Sequence, residues 1–323
     1  MTNSNSTYID TQLRKLNLVP QKYQDKLSHL TADFIEIQAL FSADALSLND
    51  ILAKFYKESI KISNLSDKDG NKYSESEKKD NDEIWIKEQF QICAYRENLL
   101  DENYPFNLGL NSIQLKDDLS SNQEVYILLL LSSNLNYFPD FKPNLTKDFE
   151  AVSYEVLKNF LPANAITKQF GKNSDYTGSA KEKIRKLAAD LKIRCNNEFI
   201  EETATGNQER GLDLIGWIPY KDGIPNLITL LGQCACGKEW YNKKGETKRY
   251  EKYYHFDKGT TPIHSMFIPY ALVKSENSFY QADEIDNLLF ERFRIIEYLD
   301  QLDFFDNLES KQIVTECIDF NII

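Results

Sequence analysis

Apolar residues recur at three- and four-residue spacing through Tyr23 to Leu40 and again through Leu48 to Tyr56, the pattern of half-buried helices. From Ser63 to Asp82 the chain is dense in Ser, Lys, Asp and Glu, with Asp69-Gly70 as its turn, which predicts an exposed loop. A helix resumes over Asp82 to Leu100. In Asn122 to Leu135 the apolar run Tyr126 to Leu131 has no period and suits a buried helix or a strand. Ser121 with Glu124 reads as a capping box and favours the helix. Pro139, Lys142 and Pro143 then mark a boundary. Lys147 to Leu161 predicts a helix with Phe149, Val152, Val156, Leu157 and Phe160 on one face, stopped by Pro162. Ser179 to Leu191 predicts another, with Ile184, Leu187, Ala188 and Leu191 facing inward.

The period then shortens. Leu212 to Ile218 and Asn226 to Leu231 are short apolar segments joined by Pro219 to Pro225, which predicts an antiparallel hairpin with a long loop. Ser265 to Val273 is a further strand candidate, interrupted near Pro269. Helix is expected again at Asp283 to Leu299, followed by an acidic amphipathic tail to Ile323. These elements divide the chain into a mostly helical accessory or recognition region (1–143), a core (144–278) and an acidic helical segment packed on that core (279–323). The fold class is α/β (α+β), a mixed central sheet flanked by helices behind a mostly helical region.

A chain of 323 residues with 41% hydrophobic content can bury a substantial core. Its 38 basic against 50 acidic residues give a net charge of −12, which disfavours non-specific attraction to nucleic acid over the whole surface. A nucleic-acid site must therefore be a local basic patch. Residues 171 to 195 hold seven Lys or Arg against three acids, and residues 234 to 258 hold seven against four. The second stretch interleaves them with Trp240, Tyr241, Tyr250, Tyr253, Tyr254 and Phe256, suiting backbone contacts and base stacking; the plainer reading is a solvated surface over core aromatics. Residues 283 to 323 hold eleven acids and three bases, a surface for a protein partner or a mask over the basic one. The five cysteines are odd in number and scattered, which fits a reducing cytoplasm, and Cys234-Ala235-Cys236 falls short of a structural zinc set. The start lacks the basic and apolar segments of a signal peptide, and Val125 to Leu131 is too short to span a bilayer, so no membrane role is expected.

The chemistry concentrates in Gly211-Leu212-Asp213 and Gly232-Gln233-Cys234. An ionised Asp entering a buried strand is costly unless it meets a metal or a strong donor. Gln233 ends the next strand, and in a hairpin the two side chains can meet where the strands splay. A carboxylate, an amide oxygen and the backbone carbonyl of Cys234 make a hard oxygen set suited to Mg²⁺, or to Mn²⁺ in its place. The structural alternative has Asp213 capping a turn or pairing with Arg210 or Arg249, and Gln233 and Cys234 as ordinary strand-end and core residues.

These motifs resemble the PD-(D/E)XK restriction-endonuclease-like superfamily, its Mrr-type branch in particular, over roughly Lys147 to Val273. That branch has a Gly-hydrophobic-Asp entering one strand and a Gln-X-Lys closing the next. The resemblance implies a restriction-endonuclease-like core and Mg²⁺-dependent hydrolysis of DNA, commonly in restriction or anti-phage defence. Asp213, Gln233 and the Cys234 carbonyl would be metal ligands. Glu150 in Asp148-Phe149-Glu150 would be the early helical carboxylate, ahead of Glu155. The chain departs from the pattern at Ala235, where the family has its lysine; Lys238 is the displaced candidate, with Lys243 and Lys244 further away. Glu209 is a further carboxylate near the proposed metal edge. The rival readings are a catalytically inactive nuclease-fold DNA-binding module, and a protein-interaction or sensor subunit using the helical region or the acidic tail.

Overall fold

A computed structural model of the chain describes residues 2–15, 29–59, 75–171, 173–204, 211–222, 224, 227–256, 261–275, 278–279, 285–299 and 302–320. The chain forms two compact units, one of residues 1–145, 270–282 and 302–323, the other of residues 146–269 and 283–301. Asp69-Gly70, Glu209 and Arg210 lie outside the described residues.

The first unit carries helices α1 (Thr2–Lys15) and α2 (His29–Leu40), strand β1 (Leu46–Ser47), α3 (Leu48–Ser59), α4 (Glu75–Leu100), β2 (Phe106–Gly109), β3 (Ser112–Leu115) and α5 (Ser121–Ser133). Helix α4 begins at Glu75, inside the stretch expected to be loop to Asp82. The apolar run becomes α5, as the capping argument favours, but its cap is one residue earlier. Ser120 accepts from the Gln123 backbone while the Gln123 side chain returns to the Ser120 backbone. Every residue from Val125 to Ser133 is buried, so no single face could set a period. The β2–β3 hairpin was not expected from the sequence: each strand has four residues, too few for alternation to stand out.

At the centre of this unit is a charged network. The Arg96 guanidinium lies 2.7 Å from Asp33 Oδ1 and 2.8 Å from Glu36 Oε1, with all three side chains fully buried. Tyr104 and Tyr126 hydroxyls donate to Glu36, each at 2.9 Å, and Ser133 donates to Asp33 at 2.9 Å.

The second unit begins inside α6 (Lys142–Phe160) and continues with β4 (Ile166–Gln169), α7 (Ala180–Leu191), β5 (Arg194–Cys195), α8 (Asn197–Thr203), β6 (Leu214–Ile218), β7 (Ile228–Cys234), α9 (Tyr250–Tyr253), β8 (Tyr254–His255) and β9 (Ile263–Phe267). Strands β10 (Val273–Ser275) and β11 (Ser278–Phe279) belong to the first unit, β12 (Leu288–Phe290) and α10 (Arg292–Glu297) to the second, and α11 (Lys311–Ile318) to the first. Helix α6 starts five residues before the expected Lys147, because Pro143 fits the first turn, where its missing N–H is no loss. Ser179 caps α7 in a capping box with Glu182.

The central sheet has the order β12-β9-β7-β6-β4. Strands β4, β6 and β7 run antiparallel in turn, with Leu214 facing Gly232 and Gln169 facing Leu214. Strand β9 then pairs parallel with β7 and β12 parallel with β9, so the sheet is mixed. One face is covered by α7, with Ile184, Leu187, Ala188 and Leu191 packed on Ile215, Trp217 and Leu231. On the other, Leu157 and Leu161 from α6 and its end lie against Gly216, and a Cβ there would collide with Leu161.

The C-terminal segment differs from expectation in two ways. Asp283 to Leu299 is not one helix: Leu288-Leu289-Phe290 becomes an edge strand, and the short α10 is capped by Glu291, which accepts from Phe293 and Arg294 amides. The segment 279–323 also does not pack as one piece on the core. Residues 302–323 belong to the first unit, where Phe305, Leu308, Ile313, Val314 and Cys317 are buried. Among the described residues no helix is long and apolar enough to cross a membrane.

Candidate functional site

The predicted hairpin forms as β6 and β7, and Asp213 sits at its open end. The Asp213 amide donates to Gly232 O at 2.9 Å, although Leu214 is the residue paired with Gly232. Two successive residues thus oppose one, as at a β-bulge, a device that re-aims a side chain where a ladder ends. The Asp213 carbonyl accepts from both Phe170 and Gly171 amides, at 2.7 and 3.1 Å. Its carboxylate Oδ2 accepts the Cys234 amide at 2.7 Å. Gly171 has no side chain where a Cβ would come within 2.8 Å of Asp213 Oδ1. The Asp213 backbone is therefore pinned by three main-chain bonds, and its carboxylate is held by the Cys234 amide.

Glu150 reaches the same place from α6. Burial, then the negative charges of Asp213 and Glu150, push the Cys234 thiol well above its ordinary pKa, while a hydrogen bond with Ser153 opposes the shift. Glu150 and Ser153 stand three residues apart on one helix face, so both can address one strand end. Asn173 Nδ2 donates to Glu150 Oε2 at 3.4 Å. Glu155 is buried and ion-paired with Lys158 at 2.8 Å. Of the two helical carboxylates, Glu150 is the one whose charge, like that of Asp213, acts on the Cys234 thiol.

Gln233 takes a different partner. Successive strand residues point to opposite faces, and its amide turns away from the Cys234 thiol to donate from Nε2 to Glu246 Oε2 at 2.5 Å. Gln233 is 3% exposed, and its buried Oε1 has no hydrogen-bond partner among the described residues. Ala235 is 1% exposed, its amide donating to Phe267 O. Lys238 occupies the turn that follows and is exposed, with its pKa lowered by partial withdrawal of the ammonium from water. Among the described residues it makes no hydrogen bond or ion pair with Glu150, Asp213 or Gln233. Lys244 lies in the loop beyond, its carbonyl accepting from Asn287.

The two basic patches are smaller than their sequence suggests. Lys181 and Arg185 both pair with Glu201, at 2.5 and 2.6 Å, and Lys186 donates to Thr177. Trp240, Tyr250, Tyr253 and Tyr254 are buried, so the core reading holds for these aromatics and they offer no stacking faces. All five cysteines are free thiols.

Glu246, Asn173, Ser153 and Gly171 were missed from sequence. Glu246 had a faint signal, a single carboxylate within Lys243-Lys244-Gly245-Glu246-Thr247-Lys248-Arg249, but nothing tied it to Gln233. Among the described residues no three His, Cys, Asp or Glu side chains converge as a ready-made metal cluster. Asp213 and Glu150 are hard oxygen donors of the kind a small cation takes, since such an ion keeps several waters and needs few protein ligands. Among the described residues no contact brings the Gln233 amide to either of them; its unpartnered buried Oε1 lies on the amide that meets Glu246. Comparisons with protein-family models, curated proteins and solved structures found no match for this chain.

Proposed function

We propose that the second unit is a metal-dependent endonuclease that hydrolyses DNA phosphodiester bonds. The observation that carries this reading is the Asp213 carboxylate, held by the Cys234 amide at the open end of the β6–β7 hairpin, where the charge of Glu150 from α6 is also felt at the Cys234 thiol. A half-buried carboxylate that accepts the Cys234 amide where two strands end, with a second half-buried carboxylate on α6, carries a desolvation cost that a bound cation would offset. The mixed sheet flanked by helices supports the restriction-endonuclease-like resemblance.

In this reading Asp213 and Gln233 Oε1, with the Cys234 carbonyl, would hold Mg²⁺ or Mn²⁺, and Glu150 would be a further carboxylate donor. When bound, the ion would supply charge stabilisation for the phosphate and lower the pKa of water. Lys238, exposed on the turn after β7, would be the cation that orients the attacking water and offsets charge on the phosphate. Restriction or anti-phage defence is the setting that the resemblance suggests.

One observation favours a second reading, a catalytically inactive nuclease-fold module that binds DNA. Ala235 is buried where the motif lysine belongs, and no contact brings Lys238 to Asp213. A subunit that senses or binds another protein through the helical unit is a further alternative. Purified protein incubated with plasmid DNA and Mg²⁺ or Mn²⁺ separates these. Nicking or linearisation that disappears in Asp213→Ala, with the unfolding transition retained, supports the enzyme. Salt-sensitive DNA binding without cleavage supports the inactive module, and no affinity for DNA rejects both.

A further inference from the structure

We infer that Glu246 is a divalent-cation ligand, acting with Gln233 Oε1 at the end of β7. The inference rests on the metal-dependent reading above and names a donor that the motif pattern does not contain.

Four features place Glu246 there. Its Oε2 is 2.5 Å from Gln233 Nε2, so the carboxylate lies against the amide whose oxygen is buried and unpartnered. A buried amide oxygen without a donor is destabilising, and coordination of a cation would remove that penalty. Second, the chain makes room for this carboxylate. Gly211, two residues before Asp213, has φ +86°, and a Cβ on it would collide with the Glu246 side chain. Only a glycine adopts that conformation readily and also leaves the space. Third, the loop bearing Glu246 is pinned from both sides. The buried Thr247 hydroxyl contacts His264 Nδ1 at 3.0 Å, and His264 Nε2 contacts Glu251 at 2.6 Å. On the other side Asn287 Nδ2 donates to the Lys244 carbonyl at 2.9 Å. Fourth, the Glu246 amide donates to Lys243 O and its carbonyl accepts from Arg249, closing the turn on itself. A loop carboxylate with no role beyond solvation needs none of this support.

The test measures Mn²⁺ binding to the full chain by titration calorimetry and by loss of the free-ion electron paramagnetic resonance signal. Glu246→Gln retains an oxygen that can accept from Gln233 Nε2, so the turn survives while the charge is lost. The expected result is Mn²⁺ affinity reduced by at least about tenfold, with the same unfolding midpoint in chelator. Gln233→Glu is the second variant. It sets two carboxylates side by side, so it should lower the thermal midpoint in chelator and have it restored by Mn²⁺. Wild-type binding that Asp213→Asn weakens but Glu246→Gln does not would overturn the assignment of Glu246 and leave the metal-dependent reading standing. No Mn²⁺ binding by the wild-type chain would overturn both.

Discussion

Replacing Arg96 with Met tests the account of the first unit. The substitution removes the guanidinium that touches Asp33 at 2.7 Å and Glu36 at 2.8 Å, leaving two fully buried carboxylates without it. Breaking a buried ion pair by deleting one partner costs about 3–5 kcal/mol, because the remaining charge stays desolvated. Two features move the value within that range. The Tyr104, Tyr126 and Ser133 hydroxyls still donate to the carboxylates, which softens the loss. Among the described residues Arg96 Nε has no hydrogen-bond partner, so Met also removes one buried unsatisfied donor, a relief of about 1–3 kcal/mol. The expected cost is therefore near the lower end, about 3 kcal/mol, against a total stability of about 5–15 kcal/mol for a typical domain. Urea unfolding followed by far-ultraviolet circular dichroism reads it as an early transition for this unit. At a slope of about 1–3 kcal/mol per molar, the midpoint falls by roughly 1–3 M. Adding Asp33→Asn and Glu36→Gln should recover much of the loss, since charge burial is its cause. A single-variant transition within about 0.5 kcal/mol of wild type would refute the reasoning and mean that the network is solvated.

Gly211→Ala should cost about 1–3 kcal/mol, since it puts a side chain at φ +86° and into Glu246; an unchanged denaturant midpoint would contradict the close approach. The phenols of Tyr104 and Tyr254 are held well above their ordinary pKa by burial, and that of Tyr176 by burial and then its hydrogen bond to Asp190. Their native pKa values exceed the unfolded value of about 10, so this contribution to stability is complete below that pH and is lost as pH rises toward the native values. Tyrosinate absorbance of the native protein should lag the denatured chain by at least three of the 18 tyrosines until alkaline unfolding. Full titration with the fold intact would contradict it.

Much of the second unit was legible because its signals are local. Ser179 and Glu182 spell out their capping box, and the apolar face of α6 reads directly from spacing. The β6–β7 hairpin follows from two apolar runs and a Pro-rich connection, as its register bears out. Where tertiary context decides, local patterns mislead. Leu288-Leu289-Phe290 sits in a helical spacing yet becomes a strand, because β9 offers a parallel edge to pair with. The basic stretch at 181–186 reads as a nucleic-acid surface until Glu201, from a separate helix, is seen to pair with two of its charges. The aromatics near 250 looked like stacking faces because no local pattern distinguishes a core tyrosine from an exposed one. At the site, Asp213 and Glu150 could be named from the resemblance. The bulge that aims Asp213, the turning of Gln233 toward Glu246, and the burial of Ala235 depend on long-range packing that residue type does not encode.

The central claim is that the end of the β6–β7 hairpin holds a divalent cation through Asp213. Anomalous diffraction from crystals of the full chain soaked in Mn²⁺ tests it most directly. The account predicts a peak about 2.0–2.6 Å from an Asp213 carboxylate oxygen, with Gln233 or Glu246 oxygen at a similar distance from a bound ion. Fully occupied soaks with no peak within coordinating distance of Asp213 would contradict it.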